Sequence, residues 1–193
     1  MHRLVCLLLA VLALLSATCD AEDAFVFANG ASWVSTAEEV KALLPEGYES
    51  AEDFDEGFGA MTILRTENEE FFGHIAAQTD YMFFNDDLLS ISCYYLEEDV
   101  PDLQLLIDAM SEVYGEPKMY AENELTLDGV ISNTRTWCSW NPDSVTEIAL
   151  YEPLDEYPYR YYIGFRNEMV YQAFNDAVMA WYDSEEITTW EEE

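Results

Sequence analysis

The chain has 193 residues, of which 50% are hydrophobic and 15% aromatic, so it can bury a substantial core and is not an intrinsically disordered protein. Its 40 acidic residues outnumber its 7 Lys and Arg and give a formal net charge of -33. This charge argues against nucleic acid and against anionic lipid surfaces as partners, because both are bound through basic residues.

Residues 1–21 have the pattern of a signal peptide. Arg3 supplies a short basic start, residues 4–15 form an uninterrupted apolar run, and small residues follow at 16–18. The apolar run is shorter than the about 20 residues that a membrane-spanning helix needs. We therefore expect an exported protein, extracellular or in the cell envelope, with no transmembrane segment after processing.

Two processing sites compete at the end of this segment. Cys19 follows Leu-Ser-Ala-Thr, which resembles a lipoprotein box in which the cysteine becomes the acylated first residue. Cleavage after Ala21 would instead release a protein without lipid. The sequence leaves both open: a lipid anchor at Cys19 or free secretion.

Two cysteines remain in the mature chain. Cys93 and Cys138 both fall in strand-like segments of a protein that meets an oxidising compartment. One interpretation is a disulfide between neighbouring strands. The other is a pair of buried free thiols that act as small hydrophobic side chains.

Residues 25–99 are predicted to form a helix followed by antiparallel strands. A capping box from Ser35 to Glu38 opens a helix over residues 36–44, with its apolar stripe at Ala37, Val40, Leu43 and Leu44. Strand-like segments follow at 60–66, 71–78, 81–84 and 88–96, with a hairpin turn at 85–87. In the last strand, Leu89, Ile91, Cys93 and Tyr95 share one face, and Ser90, Ser92 and Tyr94 share the other. This alternation predicts a sheet with one face against helices and one toward water.

Residues 100–166 repeat the same order. Asp99 is predicted to cap a helix that runs to Tyr114 and closes at Gly115. Its apolar stripe is Leu103, Leu106, Met110 and Val113, and strands follow at 130–140, 146–151 and 159–165. Residues 167–183 have helical apolar spacing, and residues 184–193 form an acidic tail. The predicted fold is α+β: two tandem helix-then-antiparallel-sheet halves that share one sheet, plus a C-terminal amphipathic helix.

The sequence carries no common catalytic signature, so we expect a protein that is not an enzyme and needs no cofactor. One acidic segment is a candidate metal site. Residues 52–57 concentrate carboxylates, with Asp53 and Asp55 as candidate calcium ligands in a predicted loop. The spacing is not that of an EF-hand loop, and a solvated acidic loop is the competing interpretation.

Aromatic residues supply the stronger candidate site. Because only one face of the predicted sheet needs burial, some Tyr and Trp rings are expected on its open face, where protein and sugar sites use them. The candidates for this binding face are Trp137, Trp140, Tyr157, Tyr159 and Tyr161. The predicted function is binding of a protein or peptide, favoured by charge if the partner is cationic. The competing interpretation of these aromatic residues is that they belong to the core. The alternative functions are a membrane-tethered envelope scaffold and a sugar- or calcium-binding surface module.

Three motifs carry a resemblance. The stretches Phe27-Ala28-Asn29-Gly30 and Trp33–Val40, with Tyr114-Gly115-Glu116-Pro117, resemble the F-x-N-G, W-G-x-S and Y-G-x-P phrases of uncharacterised exported proteins and lipoproteins of Gram-positive gut bacteria. Val34 stands where that group has Gly. The order of elements also resembles the β-lactamase-inhibitor-protein-like fold and the small lipoprotein of the outer-membrane assembly machine. The resemblance implies an α+β fold and marks no functional residue.

Overall fold

A computed structural model describes residues 25–27, 29–45, 48–55, 57–125, 131–152 and 158–184, without the side chains of residues 49–55, 121–125 and 131–136. The predicted signal peptide with both processing sites, Cys19 and Ala21, lies outside the described residues. So do Tyr157 and the acidic tail beyond Ser184.

The described ranges contain three helices and ten strands. The helices are α1 (Ala37–Leu43), α2 (Leu103–Tyr114) and α3 (Glu168–Ser184). The strands are β1 (Glu49–Asp55), β2 (Ala60–Thr66), β3 (Glu69–Phe71), β4 (His74–Ala76), β5 (Gln78–Phe84), β6 (Asp87–Tyr95), β7 (Lys118–Leu125), β8 (Ile131–Trp140), β9 (Thr146–Tyr151) and β10 (Tyr161–Asn167).

The strands of both halves form one antiparallel sheet in the order β1-β2-β5-β6-β10-β9-β8-β7. The first half supplies β1, β2, β5 and β6, and the second half supplies the rest, so the halves meet where β6 pairs with β10. The strands β3 and β4 form a separate hairpin. The predicted α+β fold, with two halves that share a sheet and a terminal helix, is confirmed.

The main core lies on one face of this sheet, under α1, α2 and the chain around Phe27 and Trp33. Ile91, Cys93 and Tyr95 of β6 point into it, as their alternation predicted. Trp33 is fixed there by its indole N–H, which donates to Thr146 Oγ1 over 2.7 Å. Burial of these large side chains is the main source of the protein's stability.

A smaller cluster lies on the opposite face, where α3 packs over Met61, Phe84 and Leu89. Leu89 was predicted on the core face, and this was wrong. The register between β5 and β6 shifts there, from Met82 opposite Ser90 to Phe83 opposite Leu88. The bulge inserts Leu89 as an extra residue and turns its side chain toward α3.

Both early helices begin one or more residues later than predicted. Thr36 and Glu39 form the capping box of α1, because the run Ser35–Glu39 fits the pattern in two registers. Asp102, not Asp99, caps α2 by accepting from the N–H of Gln104. The last stripe positions, Leu43 and Val113, are exposed, since each lies in the final turn beyond the edge of the core.

The predicted strand over residues 71–78 was wrong, because the chain reverses inside it. Phe72 and Gly73 both have positive φ, 54° and 75°, which makes the two-residue turn between β3 and β4. The turn predicted at 85–87 is confirmed, with Asn85 and Asp86 at φ 52° and 71°. Asn and Asp signal such a turn in a sequence, whereas a Phe at positive φ does not.

Cys93 and Cys138 are both buried free thiols. They lie in one transverse row of the sheet, Cys93–Ile163–Leu150–Cys138, so three strand spacings separate them. Three spacings are about 14 Å, twice the largest Cα separation that a disulfide bridges. The interpretation of a disulfide between neighbouring strands was therefore wrong. The alternative interpretation, two buried free thiols, agrees with the structure.

Candidate functional site

Five aromatic side chains stand in one row across the sheet, on the face opposite the main core. The register pairs Tyr94 with Tyr162, Tyr162 with Tyr151, Tyr151 with Trp137, and Trp137 with Tyr120. The row thus crosses five adjacent strands, from β6 through β10, β9 and β8 to the edge strand β7. We call Tyr94, Tyr162, Tyr151, Trp137 and Tyr120 the aromatic ladder.

The rings of the ladder contact one another continuously. Ring centroids are 5.2 Å apart from Tyr94 to Tyr162, 5.8 Å from Tyr162 to Tyr151, and 5.6 Å from Tyr151 to Trp137. Trp137 and Tyr120 are tightest, at 4.0 Å with their planes 12° apart. Strands spaced about 4.8 Å apart bring directly opposed rings to this distance, so the register itself builds the stack.

A row of small residues runs beside the ladder. Ser92, Gly164, Ala149 and Ser139 occupy the next position of β6, β10, β9 and β8 on the same face. The Tyr162 ring leans over Gly164, and its hydroxyl lies 3.3 Å from Ser92 Oγ. Small side chains here leave room for large neighbours, and the face is therefore a trough rather than a flat surface.

The trough opens into a cavity of about 250 Å³ under α3. Met82, Leu89 and Phe174 give it an apolar wall, and Tyr151 and Tyr162 join it to the aromatic ladder. Its polar wall is Arg166, which is ion-paired with Glu147 and Glu168 and lies 4.1 Å from the centroid of the Tyr171 ring. A cavity of this kind accepts an apolar group whose polar end remains near the mouth.

A polar chain closes the other end of the ladder. Tyr159 packs against Tyr94 at 5.1 Å and donates from its hydroxyl to Gln78 Oε1 over 2.8 Å. The Gln78 amide donates to both oxygens of Asp80, which also accept two hydrogen bonds from Arg65 at 2.7 and 2.8 Å. This chain fixes the rings at the β6 end of the row.

We expect Arg65→Ala to lower the free energy of unfolding by about 1 to 2 kcal/mol, less than for a fully buried pair because the Arg65 side chain is 40% exposed. The loss follows from leaving the carboxylate of Asp80, only 12% exposed, without its cation. Urea unfolding measures it. The double variant Arg65→Ala with Asp80→Asn should recover part of the loss, and equal stability of both variants would contradict this account.

Two hydroxyls of the ladder, those of Tyr151 and Tyr162, stay protonated at neutral pH. Burial raises the pKa of Tyr162 and of Tyr151 above the usual value for tyrosine. The rings therefore offer neutral O–H groups along with apolar edges. Such groups can donate or accept hydrogen bonds at a partner surface without the cost of burying a charge.

Two of the five predicted binding-face residues belong to this site. Trp137 is a member of the aromatic ladder, and Tyr159 caps its β6 end. Trp140 and Tyr161 do not belong, because both are buried in the main core. The indole N–H of Trp140 donates to the carbonyl of Gly115 over 2.9 Å, which ties β8 to the end of α2. Tyr157 lies outside the described residues.

The remaining ladder residues, Tyr94, Tyr120, Tyr151 and Tyr162, were not among the predicted site residues. Tyr94 was placed on the water-facing side of its strand, but its partners depend on which strands are neighbours. The strand β7, which carries Tyr120, was itself not predicted. Alternation within Lys118–Leu125 is the signal that could have found it, with Met119 paired to Cys138 and Tyr120 to Trp137.

Asp53 and Asp55 lie in the strand β1 rather than in the predicted loop. The strand pairs with β2 through an irregular register between Ala51 and Phe54, which explains why its alternation is hard to see in the sequence. In the part of the chain whose side chains are described, no group of three or more Asp, Glu, His or Cys side chains is placed to hold a metal ion.

No protein-family model matches the sequence, and no curated protein or solved structure is significantly similar to it. Among the helices that the structure describes, none has the length and apolar character needed to cross a bilayer.

Proposed function

We propose that this is an exported, non-enzymatic binding protein whose aromatic ladder and adjoining trough hold a segment of another protein or a peptide. The observation that carries the proposal is the ladder itself. Five rings in contact across five strands lie on the face that the main core does not use, and Tyr120 and Tyr151 are 40% and 38% exposed. Tyr and Trp at such positions dominate the binding energy of protein interfaces.

The stacking of the rings favours a peptide over a sugar. Sugars bind by lying flat on an aromatic face, but the rings of the aromatic ladder cover one another's faces, and among them only Tyr120, at the sheet edge, has a face that no described ring covers. What the ladder offers is ring edges and hydroxyls beside a cavity with an apolar wall. An aliphatic or aromatic side chain fits that cavity, while the polar backbone of a peptide can bond to the hydroxyls.

Charge favours a cationic partner. Lys41, Arg65, Arg160 and Arg166 are each ion-paired with a neighbouring carboxylate, so their charges are already matched within the fold. The excess of acidic residues creates a negative field that attracts a basic segment and speeds its approach, and this attraction weakens with salt.

The test is selection from a displayed library of random peptides. We expect the selected peptides to combine aromatic with basic residues, and we expect Tyr151→Ala to weaken their binding about tenfold or more, as for an interface hot spot. Titration of a labelled selected peptide measures the affinity. Tyr182→Ala is the matched control, because Tyr182 is a 60% exposed tyrosine on α3 and is not part of the ladder.

Equal binding of the selected peptides to the Tyr151 variant and to the unmodified protein would contradict the proposal. So would failure of the library to yield any binder. An array of immobilised glycans, screened in parallel, tests the sugar alternative. Glycan binding that depends on Tyr151, in the absence of peptide binding, would replace the proposed function with a sugar-binding one.

A further inference from the structure

Among the described residues, the aromatic ladder ends on a strand edge that has no further strand beside it. The strand β7 is the last in the sheet, and β8 is the one described strand that pairs with it. From Lys118 to Glu124 its pairing with β8 is regular over seven consecutive residues. Every second N–H and C=O of an edge strand points away from its neighbour, so this edge offers backbone groups for one more strand.

The opposite edge of the sheet is built differently. The strand β1 has a shift in register between Ala51 and Phe54, and four of its seven residues are acidic. A bulge and a high density of charge are the usual means by which a sheet edge avoids pairing. The strand β7 has a regular register and two exposed apolar residues, Met119 and Tyr120. Of the two edges, β7 is therefore the one suited to accept a strand.

Tyr120 gives this edge a specific preference. One face of its ring is covered by Trp137, and no other described ring contacts it. A strand added beside β7 would lie about 4.8 Å away, which is the spacing that produced the rest of the stack. An aromatic residue opposite Tyr120 would therefore extend the aromatic ladder by one more ring.

Charge decides between a second copy and a different partner. Two copies of this chain would each bring a net charge of -33 to the contact, and both edges would carry Glu122 and Glu124. Like charges opposed across a strand pair destabilise it, whereas Lys or Arg opposite Glu stabilises it. The edge thus discourages self-pairing and favours a basic strand.

We propose that β7 accepts an extended basic segment of another protein as an additional antiparallel strand, with an aromatic side chain of that segment stacked on Tyr120. The proposal rests on the proposed function, because it names the partner and the mode by which the aromatic ladder binds it. Main-chain hydrogen bonds to β7 supply affinity, and the ring and the basic side chains supply specificity.

Tyr120, Glu122 and Glu124 occupy alternate positions of β7, so their cross-strand partners must share one face of the added strand. The probe is therefore a labelled synthetic peptide of about ten residues with Val at every second position and one Tyr and several Lys at the positions between. We expect it to bind, and amide hydrogen exchange of Lys118–Leu125 to slow when it does. Two variants test the edge: Ala121→Pro and Glu122→Pro. Successive N–H groups of a strand alternate in direction, so one variant breaks a bond to β8 and lowers Tm, while the other removes an outward donor and keeps its Tm.

The variant that keeps its Tm should bind the probe about tenfold more weakly or worse. Undiminished binding to it overturns the strand-addition proposal. If Tyr151→Ala weakens the same binding, the proposed function stands without strand addition. If the probe does not bind while selected library peptides do, strand addition is likewise overturned and the proposed function stands.

Two further controls keep the result specific. A peptide of equal charge with two central prolines cannot add as a strand. If it binds as well as the probe, the attraction is only electrostatic and the proposal fails. Sedimentation of the protein alone tests the second copy. A concentration-dependent dimer that the same proline variant abolishes would assign the edge to self-association instead.

Discussion

Raising the pH above 10 is expected to unfold this protein steeply. Tyr81 and Tyr95 are fully buried, and burial raises the pKa of each far above the usual 10 of tyrosine. Burial also raises the pKa of Tyr114 to about 12. Between pH 10 and these raised values the folded protein keeps phenolic protons that the unfolded chain releases. Stability therefore falls as pH rises, and it is fully present below pH 10.

The slope is large because several phenols act together. Each proton held only by the folded state costs about 1.4 kcal/mol per pH unit, so Tyr81 and Tyr95 alone cost about 3 kcal/mol per unit. Domain stabilities are about 5 to 15 kcal/mol, so a few pH units suffice to unfold the chain. Far-ultraviolet circular dichroism and phenolate absorbance should change in one joint transition. Full ionisation of the tyrosines in a protein that keeps its circular dichroism would contradict this account.

Two matched variants separate burial from hydrogen bonding. The Tyr95 hydroxyl is buried and has no hydrogen-bond partner among the described residues. Tyr95→Phe should therefore raise stability at neutral pH by about 1 kcal/mol and make the alkaline transition shallower. The Tyr81 hydroxyl donates to Glu69 over 2.9 Å and accepts from Asn29 over 2.6 Å. Tyr81→Phe should lower stability at neutral pH, because it leaves those partners unpaired.

The general fold could be predicted because local signals repeat. Helical stripes and strand alternation can be recognised from residues that are close in the sequence. The turn at Asn85-Asp86 can be recognised in the same way, because Asn and Asp tolerate the positive φ that both residues adopt. The errors arose where tertiary contacts decide. The bulge at Leu89 depends on how β5 pairs with β6, and the reversal at Phe72 depends on a positive φ that its residue type disfavours.

The candidate site could be predicted only in part, for the same reason. That some aromatic residues lie on an open face follows from the need to bury only one face of the sheet, and Trp137 and Tyr159 were among the candidates proposed on that ground. That Tyr94 and Trp137 belong to one row requires the strand order, which places β10 between the two halves. Trp140 and Tyr161 lie in the main core, so the number of aromatic residues in a segment does not show which of them are exposed. A single step along a strand moves a side chain to the other face of the sheet.

The centre of the aromatic ladder depends on the absence of one side chain. A Cβ atom added at Gly164 would lie 2.5 Å from the Tyr162 hydroxyl oxygen and 3.0 Å from the ring carbon that bears it. We expect Gly164→Ala to displace the ring and to lower the free energy of unfolding by about 2 to 3 kcal/mol, the upper range for overpacking. Thermal and urea unfolding measure the loss, and near-ultraviolet circular dichroism reports the disturbed stack.

The effect of Gly164→Ala on the free energy of unfolding should change sign when Tyr162 is first replaced by Val. In a Tyr162→Val protein the ring is gone, so the methyl group that Gly164→Ala adds meets no obstacle from it. Gly is unfavourable inside a strand by about 0.5 to 1 kcal/mol, so Gly164→Ala should then be neutral or stabilising. The coupling between the two substitutions isolates the contact between ring and glycine. Equal destabilisation in both backgrounds would show that the constraint lies in the backbone at Gly164 and not in the aromatic ladder.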